Sequence, residues 1–119
     1  MSAWLITGGA GYIGAHVVLA LKDAGMSPVV IDDLSRGLAH RVPEDVPLVQ
    51  ARIQNRRALS QAIDDYSITG VIHLAALKAA GESVDMPLEY YAENVGGMVD
   101  LLSVMKEKDV RNFVYSSSA

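Results

Sequence analysis

The 119-residue chain is predicted to fold as an α/β domain built on a doubly wound parallel sheet. Short apolar runs, suited to buried strands, alternate along it with segments whose apolar residues repeat at helical spacing. The first run, Ala3 to Ile6, leads directly into glycines spaced G-x-x-G-x-x-G, and the second, Val29 to Ile31, ends in Asp32. Right-handed crossovers between such strands give the order 3-2-1-4-5.

The predicted elements of the first half follow in chain order. A helix runs from about Gly11 to Ala24 and ends at Gly25. Strands are expected at Pro28 to Ile31 and at Pro47 to Gln50. The buried face of the helix is predicted to carry Ile13, Val17, Val18 and Leu21.

The second half continues the alternation. A helix is expected over Asn55 to Tyr66, with Leu59, Ile63 and Tyr66 spaced i, i+4, i+7. A strand covers Val71 to Ala75, and Asn112 to Ser116 forms the fifth strand. Between them a long helix is predicted from about Pro87 to Lys108, with the stripe Leu88, Tyr91, Val95, Val99, Leu102 and Met105. Gly97 is expected to pack closely on the sheet, and Gly96 has no evident reason.

The glycine turn is the strongest functional signal in the chain. Missing side chains at Gly8, Gly11 and Gly14 permit a tight turn, close approach of a pyrophosphate to the backbone, and close packing of helix on strand. The backbone N–H groups of Gly11, Tyr12 and Ile13 open a helix whose positive end faces the anion. The pattern therefore predicts a dinucleotide site of the Rossmann type.

Asp32 lies 18 residues after Gly14, near the position of an acidic residue that binds a ribose. A carboxylate accepts hydrogen bonds from both ribose hydroxyls and repels a 2′-phosphate, so Asp32 favours NAD over NADP. The adjacent Asp33 strengthens this preference. Arg36 argues mildly for NADP, because a guanidinium can pair with a 2′-phosphate; the alternative is a solvated loop charge.

Composition excludes several classes of partner. The net charge of −4 without a basic block argues against nucleic acid and anionic membranes, and no apolar run reaches membrane-spanning length. The absence of cysteine fits a reducing cytoplasm. The three histidines have no metal-ligand spacing, and His73 is interpreted as a structural residue at a strand end. We therefore expect a soluble, unexported protein without a metal site.

Several stretches together resemble one family. They are Thr7 to Gly14, Asp32 to Ser35, His73 to Val84, Pro87 to Tyr91, Asn94-Val95, and Ser116 to Ala119. The chain resembles the extended short-chain dehydrogenase/reductases and, within them, the UDP-glucose 4-epimerase branch, to which Ala-Leu-Lys-Ala-x-Gly-Glu-Ser followed by Pro-Leu-Glu-Tyr-Tyr is specific. Dehydratases of the superfamily lack this lysine.

The resemblance implies further contacts with NAD. Lys78 is expected to hydrogen-bond the nicotinamide ribose, and Asn94 the ribose region, with a surface asparagine as the alternative. Leu74, Ala75, Ala76 and Leu77 are expected to line the cofactor. The remaining implied contacts are Leu34, Ser35, Gly37, Ile53 and Ser116. The family has Gly-Asp-Ile where this chain reads Ala51-Arg52-Ile53, which leaves open whether Arg52 disturbs adenine binding.

The implied catalytic residue is Ser118, which matches a serine that hydrogen-bonds the sugar hydroxyl being oxidised. It is not a nucleophile, since no His and Asp are arranged around it as a triad. The family's Tyr-x-x-x-Lys pair and its sugar-nucleotide lobe have no counterpart in residues 1–119. The expectation is therefore an NAD-binding domain incomplete at its C-terminal end and inactive alone.

The resulting hypothesis is the NAD-binding portion of an epimerase that interconverts UDP-glucose and UDP-galactose through a transient 4-keto sugar, possible as a homodimer when intact. The alternatives are a non-catalytic NAD-binding module and another sugar-nucleotide enzyme, a decarboxylase or dehydratase, on the same fold.

Overall fold

The computed structural model describes residues 2–34, 38–74, 88 and 95–115. The strands are β1 (Ala3–Thr7), β2 (Ser27–Asp32), β3 (Leu48–Gln50), β4 (Ile68–His73) and β5 (Asn112–Tyr115). The helices are α1 (Tyr12–Asp23), α2 (Arg56–Tyr66) and α3 (Gly97–Glu107), with a 3₁₀ turn at Ala39–Arg41. The alternation predicted from the apolar pattern is confirmed.

The five strands form one parallel sheet in the order β3-β2-β1-β4-β5, as predicted. In β1, Thr7 pairs with Ile31 of β2 on one side and with His73 of β4 on the other. The winding direction reverses between β1 and β4, so a crevice opens there at the carboxyl ends of the strands. The glycine turn follows β1 at this edge.

Both faces of the sheet are covered, as parallel sheets require. On one face, α2 and α3 pack over a cluster that contains Leu5, Val71 and Leu101. On the other face, α1 and the loop before β3 pack over Ile6 and Val30. Neighbouring residues of β1 therefore belong to opposite core layers, which is the two-residue alternation of a strand.

The predicted buried face of α1 is wrong at Ile13, which is 59% exposed. The helix lies so close to the glycine turn that its contact position in the first turn is taken by Gly14. Val17, Val18 and Leu21 complete this face at helical spacing, as predicted. The end of α1 is also confirmed: Gly25 has φ of 80° and its N–H donates to the Lys22 carbonyl.

Helix α2 ends where predicted, and its apolar face is confirmed at Leu59 and Ile63 but not at Tyr66. The side chain of Asn55 caps it by accepting from the Ala58 N–H at 3.0 Å. Leu59 and Ile63 are buried, whereas Tyr66 is 39% exposed. The helix ends at Tyr66 because Ser67 adopts a left-handed conformation with φ of 52°. The chain then enters β4 at Ile68, three residues before the predicted start.

At the described positions, the stripe predicted for the long helix is wrong except at Met105. Leu88, Val95, Val99 and Leu102 are all exposed, and Tyr91 lies outside the described residues. The buried face instead carries Gly97, Leu101, Val104 and Met105. Apolar residues occupy both faces of this helix, so periodicity alone cannot choose the one that meets the sheet. Gly97 packs against the Ile53 side chain rather than the sheet: a Cβ there would lie 2.5 Å from Ile53 Cδ1.

Candidate functional site

The turn between β1 and α1 has the geometry of a phosphate cradle. Gly8 has φ of 73°, and its N–H donates to the Ile31 carbonyl at 2.9 Å, which fixes the turn on the end of β2. The N–H of Gly11 donates back to the Gly8 carbonyl at 3.1 Å. Gly11 is the N-cap of α1 and has no side chain with which to cap the helix. The first N–H groups of α1 are therefore available to an anion.

The glycines of the turn answer two different demands. A Cβ on Gly14 would lie 2.4 Å from the Gly8 carbonyl oxygen, and one on Gly9 would lie 2.7 Å from Val30. Both contacts are too short, so these glycines are required by the packing of the protein itself. A Cβ on Gly11 would lie 3.4 Å from the Gly8 oxygen, an ordinary contact. Packing among the described residues therefore does not require Gly11 to lack a side chain.

Asp32 ends β2 with its carboxylate fixed against the glycine turn. Its Oδ2 accepts from the Ala10 N–H at 3.1 Å, and its Oδ1 accepts from the Leu34 N–H at 2.8 Å. Leu34 itself adopts the left-handed conformation, with φ of 64°. Each carboxylate oxygen keeps accepting capacity, so this group can also bind hydroxyl donors beside the turn. The exposed Asp33 adds a second negative charge to this end of the sheet.

The loop after β2 is also tied to the turn, since the Leu38 N–H donates to the Ala10 carbonyl at 3.0 Å. Ala10 is fully buried and thus bonds through both backbone groups, to Asp32 and to Leu38. This clamp was not predicted. Alanine carries no motif signal, because its contribution here comes from its backbone.

Ile53 and Leu74 lie at two other strand ends. Ile53, three residues after β3, is 9% exposed, and its side chain is covered by the first turn of α3. Leu74 directly follows β4, and its N–H donates to both the carbonyl and the hydroxyl of Thr7. The glycine turn, Asp32 and Leu74 thus share the carboxyl edge of the sheet, as predicted.

The electrostatics of this edge differ from those of the outer helix surfaces. Ion pairs there join Arg56 to Asp100 and Lys108 to Asp64 across α2 and α3. On the other face, the hydrogen bond from Lys22 lowers the pKa of Asp45 below its ordinary value. None of these pairs involves the glycine turn, so they do not contribute to the site.

The chain matches the family model described as NAD dependent epimerase/dehydratase over residues 4–119. The chain belongs to this family. It is similar to Bifunctional protein GAL10 of Pachysolen tannophilus (45% identical, covering 100% of the chain and 18% of that protein). It is also similar to UDP-glucose 4-epimerase of Homo sapiens (44% identical, covering 97% and 37%). The chain therefore spans well under half the length of these two relatives.

Solved structures of the epimerase/dehydratase family share its fold. The structure described as UDP-glucose 4-epimerase from Brucella ovis in complex with NAD superposes with a TM-score of 0.95 at 37% identity. The alignment covers 100% of this chain and 36% of that one. A similar structure from Stenotrophomonas maltophila, with bound NAD and formylated UDP-arabinopyranose, also gives a TM-score of 0.95, at 36% identity.

Part of the predicted site lies outside the described residues. This group comprises Ser35, Arg36, Gly37, Ala75, Ala76, Leu77, Lys78, Asn94, Ser116 and Ser118. Within the described ranges no group of three potential metal ligands is found. No helix of those ranges is long and apolar enough to cross a bilayer.

Proposed function

We propose that this chain is the NAD-binding portion of a UDP-glucose 4-epimerase, which interconverts UDP-glucose and UDP-galactose through a 4-keto sugar. The observation that carries the proposal is the fixed geometry of the glycine turn and Asp32. An open helix N-terminus and an oriented carboxylate lie side by side at the switch point of the sheet. The names of the relatives support the substrate pair.

The described residues fit two groups of the adenosine diphosphate half of NAD, the pyrophosphate and the ribose. The pyrophosphate would lie against Gly11 and the first N–H groups of α1, where a Cβ is absent for no reason of packing. The hydroxyls of the adenosine ribose would donate hydrogen bonds to the Asp32 carboxylate. That carboxylate is held in place by Ala10 and Leu34 before any ligand binds, so little ordering is needed on binding.

Cofactor choice follows from charge. A 2′-phosphate on the adenosine ribose would lie against Asp32, with Asp33 next to it. Two carboxylates repel a phosphate dianion, and the hydrogen bonds described for Asp32 come from uncharged backbone N–H groups. The chain should therefore bind NAD in preference to NADP.

NAD, held by the glycine turn and Asp32, would supply the redox chemistry at C4 of the sugar. Under this proposal Ser118 binds the C4 hydroxyl and Lys78 the nicotinamide ribose, with Asn94 and Leu74 to Leu77 lining the cofactor. These roles rest on the resemblance of residues 73–84, 94 and 116–119 to the epimerase motifs. Reaction at the sugar further requires the tyrosine base that the family places after this serine.

The exposed side of α3, together with Val95 just before the helix, supports a homodimer. Val95, Val99 and Leu102 are spaced i, i+4, i+7 and are 43%, 52% and 44% exposed. An apolar row of this kind is suited to packing against a second helix.

We also propose a cytoplasmic location, consistent with a chain that contains no cysteine.

Calorimetric titration with NAD and with NADP tests the proposal. NAD should bind more tightly, and Asp32→Ala should narrow the difference, because it removes both the ribose acceptor and the repulsion of the 2′-phosphate. Equal or tighter binding of NADP by the unaltered chain would contradict the assignment. Asp45→Ala is the matched control: it removes an exposed carboxylate bonded to Lys22 and should leave both affinities unchanged.

A further inference from the structure

Two buried polar side chains meet at the junction of β1 and β4. Thr7 is the last residue of β1 and His73 the last of β4, and they are 0% and 1% exposed. Within the described core they are the buried polar side chains, among layers otherwise made of aliphatic residues. Thr7 Oγ1 lies 2.6 Å from His73 Nδ1, a short hydrogen bond. The bond crosses the point at which the sheet changes its winding direction.

The Thr7 hydroxyl also bonds to the backbone of Leu74, the first of the residues expected to line the cofactor. Thr7 Oγ1 accepts from the Leu74 N–H at 2.9 Å, and the Thr7 carbonyl accepts from the same N–H at 3.0 Å. Leu74 is thereby held twice by the residue that precedes Gly8. One end of this connection is the phosphate turn, and the other is the segment that begins at Leu74.

The His73 ring is itself held in place. It stacks on Tyr115 with ring centroids 5.6 Å apart and on Phe113 at 6.3 Å, with interplanar angles of 24° and 28°. Both aromatic residues belong to β5, and Tyr115 is the register partner of His73. The ring therefore cannot turn away from Thr7 without breaking these stacks.

We propose that His73 is a positioning residue for cofactor binding, acting through Thr7. The imidazole fixes the rotamer of the threonine hydroxyl, and the hydroxyl fixes the Leu74 backbone against the glycine turn. The floor of the β1–β4 crevice is then rigid before the nucleotide arrives. The cofactor part of this inference rests on the proposed binding of NAD, whereas the positioning of Leu74 belongs to the ligand-free chain.

The decisive pair of variants is His73→Phe and His73→Asn. Phenylalanine keeps the aromatic stack but offers Thr7 no hydrogen-bonding atom. Asparagine places an amide atom near the position of Nδ1 and can either donate or accept. His73→Phe should raise the Kd for NAD about tenfold, equivalent to about 1.4 kcal/mol. His73→Asn should restore most of the affinity, although it lacks the ring and is less well packed.

A second readout needs no ligand. Hydrogen exchange at the Leu74 amide should become faster in His73→Phe and in Thr7→Val, and remain slow in His73→Asn and Thr7→Ser. Thr7→Val keeps the shape of threonine and removes only the hydroxyl, so it tests the same link if His73→Phe does not fold. Thr69→Val is the control: it removes a threonine hydroxyl at the opposite end of β4 and should change neither readout.

The outcomes are distinguishable. Unchanged NAD affinity in folded His73→Phe and Thr7→Val would overturn the inference, as would a loss in His73→Asn that equals or exceeds the loss in His73→Phe. A loss confined to His73→Asn would mean that the ring acts by packing alone. Failure of the unaltered chain to bind NAD would refute the proposed function instead, and the exchange rates at Leu74 would then decide the positioning step by themselves.

Discussion

The glycine turn and α3 each contain a glycine that packs at short range, but their surroundings differ. A Cβ on Gly14 would meet the carbonyl oxygen of Gly8 at 2.4 Å, and a Cβ on Gly97 would meet the side-chain end of Ile53 at 2.5 Å. A backbone in a bonded turn cannot move aside, whereas the end of an isoleucine can. Similar distances therefore imply very different constraints, strict in the turn and loose in the helix.

The largest effect is expected from Gly14→Ala. The new methyl group would push α1 off the turn, and the Gly8 to Gly11 hydrogen bond would have to break or lengthen. We expect a loss of at least about 3 kcal/mol in the free energy of unfolding. Chemical denaturation followed by circular dichroism measures it. A loss under about 1 kcal/mol would show that the turn is as adaptable as α3.

Two adjacent leucines lie on opposite faces of α3, so their alanine variants compare how much each face contributes to stability. Leu101 is fully buried in the core, whereas Leu102 is 44% exposed. Leu101→Ala should cost about 2 to 4 kcal/mol of unfolding free energy through the cavity it leaves, and Leu102→Ala should cost less than about 1 kcal/mol in the monomer. Denaturation at low protein concentration makes the comparison. A larger loss in Leu102→Ala than in Leu101→Ala would instead support the buried stripe predicted from periodicity.

Gly97→Ala sharpens the contrast with Gly14→Ala. Alanine favours the helix by about 0.8 to 1 kcal/mol over glycine, and displacement of the Ile53 side chain opposes this gain. The net change in unfolding free energy should stay within about 1 kcal/mol of zero. Thermal unfolding of the two alanine variants side by side checks this. A loss as large as that of Gly14→Ala would mean that Ile53 is held as firmly as the backbone of the turn.

The smallest effect is expected at Gly96. Among the described residues a Cβ there would have no neighbour within 4 Å, and the backbone is helical with φ of −61°. Gly96→Ala should therefore stabilise the chain by about 0.5 to 1 kcal/mol. A destabilised variant would point to a neighbour of Gly96 outside residues 2–34, 38–74, 88 and 95–115. The glycine at this position is otherwise unexplained by the described contacts.

Local backbone chemistry made much of the fold predictable. Glycine spacing located the turn, Gly25 ended α1, and Asn55 marked the start of α2. Asp32 was placed at the site because an acidic strand end follows the turn at a recurring distance. These signals depend on a few consecutive residues, so they survive without knowledge of the rest of the molecule.

The errors arose where tertiary contacts decide. Ile13 is exposed because Gly14 takes its place against the turn, and Tyr66 is exposed because Ser67 ends α2 immediately after it. For α3 the sequence offered two apolar faces of similar strength, and the sheet selected the one containing Leu101. The hydrogen bond between Thr7 and His73 joins residues 66 positions apart, and neither residue type signals such a partner.

Gly11→Val tests whether the glycine turn binds the pyrophosphate of NAD. Gly11 has φ of −80° and ψ of 176°, which valine readily adopts, so the variant should fold. We predict that this variant loses more than about 2 kcal/mol of NAD binding free energy, roughly a thirtyfold rise in Kd, as measured by calorimetry. The control variant Gly96→Ala should keep the NAD affinity of the unaltered chain. Undiminished NAD affinity in folded Gly11→Val would mean that the nucleotide binds elsewhere in the protein.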